Sequence, residues 1–239
     1  MSTTPTPILL AWSGGKDSTL ALERLLGDPA WRVVALVTTV TSGYDRIAIH
    51  GVRRSILRRQ VQALDLPLIE AEIPPQSSNA VYEAAFADAL ARARGASDTP
   101  IDTIAFGDLH LADVRAYREA MLAGLGWRGA FPLWGEDTTQ LAQRFVARGY
   151  RAILSCVDTE QLDPAFCGRD FDASLLADLA AHVDPCGENG EFHTCVHAGP
   201  IFAHPIPLQR GERVLRDARF QYVDLVESDS SSGAGHSSR

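Results

Sequence analysis

Residues 7–18 read Pro-Ile-Leu-Leu-Ala-Trp-Ser-Gly-Gly-Lys-Asp-Ser, and this stretch decides the fold. The first six residues form a short apolar run, which predicts a β-strand. Leucines and alanines then recur at helical intervals over residues 17–26 and stop at Gly27, which predicts a helix. A glycine-rich turn between strand and helix frees backbone N–H groups to face an anion, and the helix N-terminus adds partial positive charge. The sequence therefore predicts that residues 13–18 bind a pyrophosphate group.

The strand-then-helix pattern repeats along the first half of the chain. Apolar runs predict strands at residues 32–39, 66–73 and 103–106, and helical periodicity predicts helices at residues 51–64, 79–94 and 111–125. Such alternation is typical of an open parallel sheet with helices on both faces. We therefore predict an α/β fold in which the glycine turn lies at the carboxyl ends of the strands, where ligands collect.

A cluster of glycines at 124, 126 and 129 predicts a domain boundary near Gly126. Residues 1–125 would then form the phosphate-binding domain, and residues 126–226 a smaller C-terminal α/β domain that binds the substrate. Patterns in the second half predict helices at residues 138–148 and 172–182 and strands at residues 151–157 and 191–196. The low-complexity stretch 227–239 predicts a disordered tail.

Composition excludes several classes of protein. The 239 residues include 46% hydrophobic and 22% charged residues, as expected of a globular chain. The net charge of −8 disfavours nucleic acid as a partner, because a polynucleotide-binding protein must neutralise many phosphates. No secretory signal is visible, and no apolar run approaches the roughly 18 residues of a membrane span. We expect a cytoplasmic protein whose four cysteines are free thiols; a homodimer is left open.

The single lysine of the chain stands inside the glycine turn. Lys16 is the only lysine, and the other 21 of the 22 basic residues are arginines. An ammonium is a compact point charge, whereas a guanidinium is a planar fork, so the two side chains are not interchangeable. The exception at this position indicates that the turn requires a compact positive charge.

The glycine turn has neither the spacing of a Walker P-loop nor the three glycines of the dinucleotide fingerprint. It resembles instead the PP-loop of the N-type ATP pyrophosphatases, whose S-G-G-x-D-S motif is matched at every fixed position by residues 13–18. The resemblance implies a Rossmann-like fold and binding of ATP, with cleavage between the α and β phosphates. Ser13, Gly14, Gly15, Lys16, Asp17 and Ser18 would hold the phosphates. By the same resemblance Lys16 would neutralise the departing pyrophosphate, Asp17 would help to place Mg²⁺, and Thr38 would lie near the nucleoside.

Further motifs narrow the resemblance. They are Gly107-Asp108-Leu109, residues 114–119, Phe131-Pro132-Leu133-Trp134 and residues 186–194, the last reading Cys-Gly-Glu-Asn-Gly-Glu-Phe-His-Thr. Together they resemble the diphthine-ammonia ligase family over nearly all of residues 8–205. In that family ATP adenylates the carboxyl group of diphthine on translation elongation factor 2, and ammonia then displaces AMP. Residues 184–190 resemble the bacterial branch; since bacteria are not expected to make diphthamide, the carboxylate, on a small molecule or a protein, stays open.

The resemblance and the chemistry together give a set of candidate site residues. Glu188, Glu191 and His193 could bind a cation or take a proton from ammonia, and Asp108 could orient the nucleophile or a metal. Arg115 and Arg118, three apart on one helix face, could clamp a carboxylate. His50 and Gly107 are further candidates for the nucleotide, and Asn189 and Thr194 for the substrate. Each also has a structural reading: a polar turn, solvated arginines or the start of a helix.

Two other functions remain open at this stage. A regulatory module would bind ATP or AMP without turnover, and a tRNA-modifying PP-loop enzyme would need a local basic patch despite the acidic charge. A zinc site at Cys186, His193, Cys195 and His197 is disfavoured because no C-x-x-C pair is present.

Overall fold

The computed structural model describes residues 4–43, 45–47, 51–96 and 99–228. The first half contains β1 (Thr6–Ala11), α1 (Lys16–Leu26), β2 (Trp31–Thr41), β3 (Arg46–Ile47), α2 (Arg54–Leu64), β4 (Leu68–Ile73), α3 (Asn79–Gly95), β5 (Thr103–Ala105), α4 (Ala112–Gly124) and β6 (Arg128–Ala130). The second half contains α5 (Thr138–Ala147), β7 (Arg151–Asp158), a 3₁₀ turn (Pro164–Phe166), α6 (Ala173–Asp178), β8 (Phe192–Ala198), β9 (Leu208–Arg216) and β10 (Phe220–Glu227).

The first sheet is parallel except for β3. Strand β2 pairs in parallel with β1 on one side and with β4 on the other, and β1 pairs in parallel with β5, which pairs with β6. The short β3 runs antiparallel to the last residues of β2, beyond the end of β1. The chain therefore builds outward from β1 to β4 and then returns to add β5 and β6 on the opposite side. This reversal puts the topological switch point, where ligands bind in open α/β sheets, between β1 and β5.

Apolar side chains of β1 pack on both faces of this sheet. Ile8 and Leu10 belong to one core cluster, with residues of α1 and α2. Leu9, between them, belongs to a second cluster, with residues of α3 and with Leu122 of α4. Successive side chains of a strand point to opposite faces of the sheet, so a strand that is covered on both faces is buried at every position and is apolar throughout. The prediction of an open parallel sheet with helices on both faces is confirmed.

The second half is built on a smaller antiparallel sheet in the order β8-β7-β10-β9. Its buried residues, such as Leu154, Phe192 and Val196, join the same core cluster as α1 and α2. Strand β8 reaches the glycine turn directly, because the Val196 N–H donates to the Gly14 carbonyl at 2.9 Å. The second sheet thus closes one side of the space above the switch point.

Several details of the sequence interpretation change in the structure. The predicted helix at 172–182 is limited to Ala173–Asp178, and the hairpin of β9 and β10 was not predicted. Strand β6 pairs with β5, so the first sheet continues beyond Gly126, and the domain boundary there stays a prediction. Of the predicted tail, Glu227 is the last residue of β10, and the part from residue 229 onward lies outside the described residues. Cys156, Cys167, Cys186 and Cys195 are buried and form no disulfide, as predicted. Within the described ranges, none of the helices combines the length and apolarity that a membrane crossing requires.

Candidate active site

A cavity of about 560 Å³ lies at the carboxyl ends of β1, β2 and β5. This volume falls within the range of small-molecule sites in proteins. The floor comes from the glycine turn and from the residues that follow β5, and one wall comes from the second sheet. The predicted site residues that line it are Ser13, Lys16, Asp17, Ser18, Thr38, Gly107, Asp108, Arg118, Glu188, His193 and Thr194. Residues separated by up to 181 positions in sequence, from Ser13 to Thr194, are therefore brought to one place.

The glycine turn wraps the start of α1. Gly14 has φ of 76°, a conformation that favours glycine, and Gly15 is the N-cap residue of the helix. Ser13 Oγ accepts from the Gly15 N–H at 3.3 Å and lies 3.2 Å from Ser18 Oγ. The two hydroxyls and the helix N-terminus thus face the same end of the cavity, an arrangement that suits an anion.

Lys16 is almost fully buried, with 2% of its side chain exposed. Its Nζ donates to both oxygens of Asp17, at 2.7 and 2.8 Å, and to the Cys186 carbonyl. Burial by itself would lower the pKa of Lys16, but the acidic groups around it, first of all the Asp17 carboxylate and then Cys186 and Glu188, together outweigh that effect, and the pKa is raised. The ammonium is therefore charged at neutral pH. The Lys16 N–H donates to Thr194 Oγ1 at 3.0 Å, so the second sheet contacts the turn through backbone and side chain.

Glu188 connects the 184–191 loop to the segment after β5. Its Oε1 accepts from the N–H groups of Leu109 at 2.8 Å and His110 at 3.2 Å. Burial raises the pKa of Glu188 in spite of these two donors, which lower it. A half-buried carboxylate that lines the cavity next to Lys16 and Asp17 fits a role in binding a cation or moving a proton.

Glu191 and Asn189 organise the 184–191 loop from within and do not line the cavity. The Glu191 side chain is buried and accepts from the backbone N–H groups of Asp184 at 2.9 Å and Asn189 at 3.0 Å. Asn189 Nδ2 donates to the same carboxylate at 3.1 Å. The hydrogen bonds of both side chains therefore lie within the loop and stabilise its conformation.

His193 is the second residue of β8 and faces the cavity. Burial lowers the pKa of His193 to about 4, and the nearby positive charge of Lys16 adds to the effect. The imidazole is therefore neutral at pH 7. A neutral ring beside the buried Lys16 can accept a hydrogen bond or a proton from a ligand.

The two candidate arginines of α4 have different surroundings. Arg118 lines the cavity, donates to Asp108 at 2.6 and 3.1 Å and lies 4.3 Å above the centre of the Phe106 ring. Arg115 does not line the cavity; it pairs with Glu119 at 2.8 Å and lies over the rings of Phe131 and Trp134. Arg118 is therefore the better placed of the two to meet a ligand.

Of Thr38 and His50, both candidates to lie near the nucleotide, the structure describes only Thr38. Thr38 lines the cavity, but its Oγ1 donates to the Trp12 carbonyl at 2.7 Å and so also fixes the end of β1. His50 lies outside the described residues.

Sequence reasoning missed several residues of the site. Trp12, Phe86, Phe106 and Phe192 line the cavity, and Gln60 holds the glycine turn from α2. The signal for Trp12 and Phe106 was their position at the end of a strand. Gln60 interrupts the apolar face of α2, and a polar residue at such a position indicates a buried hydrogen-bond partner.

Asp17 is a candidate to hold a cation: it lines the cavity, about a third of its side chain is exposed, and its two oxygens accept hydrogen bonds from Lys16. Among residues 4–43, 45–47, 51–96 and 99–228, no group of three or more His, Cys, Asp or Glu side chains could hold a metal ion. Mg²⁺ in nucleotide sites needs only one or two carboxylates besides the phosphates. The residues present fit an ion that would arrive with a nucleotide.

An open parallel sheet, a Ser-Gly-Gly turn at the switch point and a buried lysine in that turn are features of a Rossmann-like PP-loop protein. Residues 7–128 match the model of the diphthamide synthase N-terminal domain, and residues 137–225 match that of the C-terminal domain. The chain belongs to the diphthamide synthase family. It is also 27% identical over 218 residues to a diphthine–ammonia ligase of Schizosaccharomyces pombe. The match covers 84% of this chain but only 36% of that relative.

Proposed function

We propose that this protein is an ATP-dependent ligase that adenylates a carboxylate and converts it to an amide with ammonia. The observation that carries the proposal is the buried, charged Lys16 inside the glycine turn, which shares one cavity with Glu188 and His193. The turn provides a site for phosphates, and the second sheet provides ionisable groups beside it. The similarity to a diphthine–ammonia ligase supports this choice among reactions that consume ATP.

In the first step, a carboxylate oxygen of the substrate attacks the α phosphorus, and the bond to the β phosphate breaks. Pyrophosphate leaves, and an acyl adenylate remains. Lys16 and the start of α1 stabilise the negative charge that accumulates on the leaving group, which is the expected main contribution to catalysis. Mg²⁺ bound through Asp17 would supply further charge neutralisation.

In the second step, ammonia attacks the acyl carbon, AMP leaves and the nitrogen loses a proton. His193 is neutral and is the candidate acceptor of that proton. The positive charge of Lys16 lowers the pKa of His193, so phosphates that neutralise Lys16 would make the imidazole more basic. Glu188, three positions before the buried Glu191, is the candidate to hold ammonium before it reacts. Arg118 would orient the substrate carboxylate.

The test is to incubate the purified protein with ATP, Mg²⁺, ammonium and a panel of carboxylates, and to measure AMP and pyrophosphate. Lys16→Met should lower the rate by about a hundredfold, because it removes the charge that faces the phosphates. The matched control is Arg24→Met, which removes one positive charge from the exposed face of the same helix. ADP as the sole nucleotide product, or full turnover by Lys16→Met, would refute the proposal. Binding of ATP without any release of pyrophosphate would favour a regulatory module.

A further inference from the structure

Gln60 of α2 is a fully buried amide that supports the candidate active site without lining its cavity. Its Oε1 accepts from Trp12 Nε1 at 3.2 Å, and its Nε2 donates to the carbonyls of Gly14 at 3.0 Å and Val196 at 2.7 Å. A buried amide is costly unless its polar atoms are paired, and a leucine or methionine would fill the same space without that requirement. The hydrogen bonds to Trp12, Gly14 and Val196 therefore account for a polar side chain at this buried position.

The three groups belong to segments that converge on the cavity. Trp12 directly follows β1, Gly14 belongs to the glycine turn, and Val196 belongs to β8, the strand that carries His193 and Thr194. The Gly14 carbonyl accepts a second bond from the Val196 N–H at 2.9 Å. One side chain thus fixes the turn to the first sheet and to the second.

Gln60 also packs against the most constrained residue of the turn. A Cβ added to Gly14 would lie 2.5 Å from Gln60 Oε1. In a trans peptide the C=O and N–H groups point in opposite directions, so anchoring the Gly14 carbonyl on Gln60 turns the Gly15 N–H the other way. That N–H faces Ser13 Oγ at the end of the cavity.

We propose that Gln60 is a positioning residue of the glycine turn: it sets the direction of the Gly14–Gly15 peptide, and thereby the affinity of the turn for the phosphates of ATP. The inference rests on the proposed function in one respect, that the turn binds these phosphates. Gln60 touches no ligand and acts through the backbone of the turn.

The experiment compares wild-type protein with Gln60→Met by calorimetry of ATP, inorganic pyrophosphate and adenosine. We expect the affinities for ATP and pyrophosphate to fall by about tenfold, the effect of one or two lost hydrogen bonds, while that for adenosine changes little. Gln62→Met, on the exposed side of the same helix, should change none of the three. Leu90→Ala, in the other core cluster, serves as a control for lost stability alone.

Hydrogen exchange of residues 13–16 in the free protein tests the positioning without any ligand. Exchange should be faster in Gln60→Met than in wild type, and unchanged in Gln62→Met. If Gln60→Met does not fold, Gln60→Glu retains the shape of the side chain but has at most one hydrogen to donate. Equal exchange and equal affinities in the Gln60 variants and the wild type would overturn the inference, as would a loss shared equally by adenosine and pyrophosphate. A wild type that bound no ATP would instead refute the proposed function, and the exchange measurement would still decide the role of Gln60.

Discussion

Replacement of Gly107 by alanine should displace the end of the glycine turn, where α1 begins. Gly107 follows β5, and its backbone lies directly against the first turn of α1. A Cβ at this position would lie 2.8 Å from the Asp17 carbonyl carbon, 2.9 Å from the Ser18 nitrogen and 3.0 Å from the Asp17 oxygen. All three are backbone atoms, so no flexible side chain can move out of the way. The two segments must separate.

The magnitude follows from the distances. Ordinary van der Waals contact begins near 3.4 Å, so the closest pair must move apart from 2.8 Å by several tenths of an ångström. Overpacking of this kind costs about 1–3 kcal/mol of the free energy of unfolding. Alanine restricts the unfolded chain more than glycine and returns about 0.4–1 kcal/mol where the backbone is compatible. We expect a net loss of about 1–2 kcal/mol, and a displaced first turn of α1 that binds ATP more weakly.

The assay is urea denaturation together with calorimetric titration of ATP. Gly124→Ala is the matched control: this glycine lies in α4, and a Cβ added there meets no atom within 4 Å. Gly124 is the last residue of α4, so Gly124→Ala should gain less than the roughly 0.5–1 kcal/mol of a helix interior, and it should leave ATP binding unchanged. A Gly107→Ala protein as stable as wild type, with the same affinity for ATP, would refute the argument from close approach.

The remaining predictions concern two ionisable side chains. The pKa of His193 is about 4 in the folded protein against an ordinary value of 6.5, so the unfolded chain binds this proton first as the pH falls. The contribution of the neutral ring to stability should therefore be lost between pH 6.5 and about 4. The free energy of unfolding, measured by denaturation across this range, should depend less on pH in His193→Gln than in wild type or in His204→Gln. Parallel curves would contradict the assignment. Asp158, at the end of β7, is 1% exposed, and its ion pair and hydrogen bonds with Arg219 lower its pKa to about 2. Asp158→Asn should cost about 1–3 kcal/mol at pH 7, and stability should fall less steeply below pH 4 than in wild type, whereas Asp178→Asn, at an exposed ion pair, should cost less than about 1 kcal/mol.

The sequence was sufficient for the part of the fold that depends on local pattern. The apolar run of β1, the Ser-Gly-Gly turn and the amphipathic helices of the first half each reflect interactions within a few residues of one another, so periodicity and turn chemistry identify them. The sequence also predicts that the glycine turn lies at the carboxyl end of β1, because parallel strands joined by helices place all such turns at one edge of the sheet. The family resemblance added the second block, residues 186–194, without placing its side chains.

Only the tertiary structure decided which side chains of that block face the cavity. Glu188 and Glu191 stand three apart with the same chemistry, yet one lines the cavity and the other is buried in its own loop, because the turn from Gly187 to Gly190 directs them differently. Arg115 and Arg118 are likewise three apart on one helix, and only Arg118 reaches Asp108.

The role of Gln60 could not be predicted either, because its three partners are 48, 46 and 136 residues away in the chain. Its position within α2 is set by helical periodicity, but the groups that it meets are brought there by the packing of the two sheets. Local pattern thus determined the strand, turn and helix of the proposed phosphate site. Long-range packing, which sequence periodicity does not encode, decided what surrounds them.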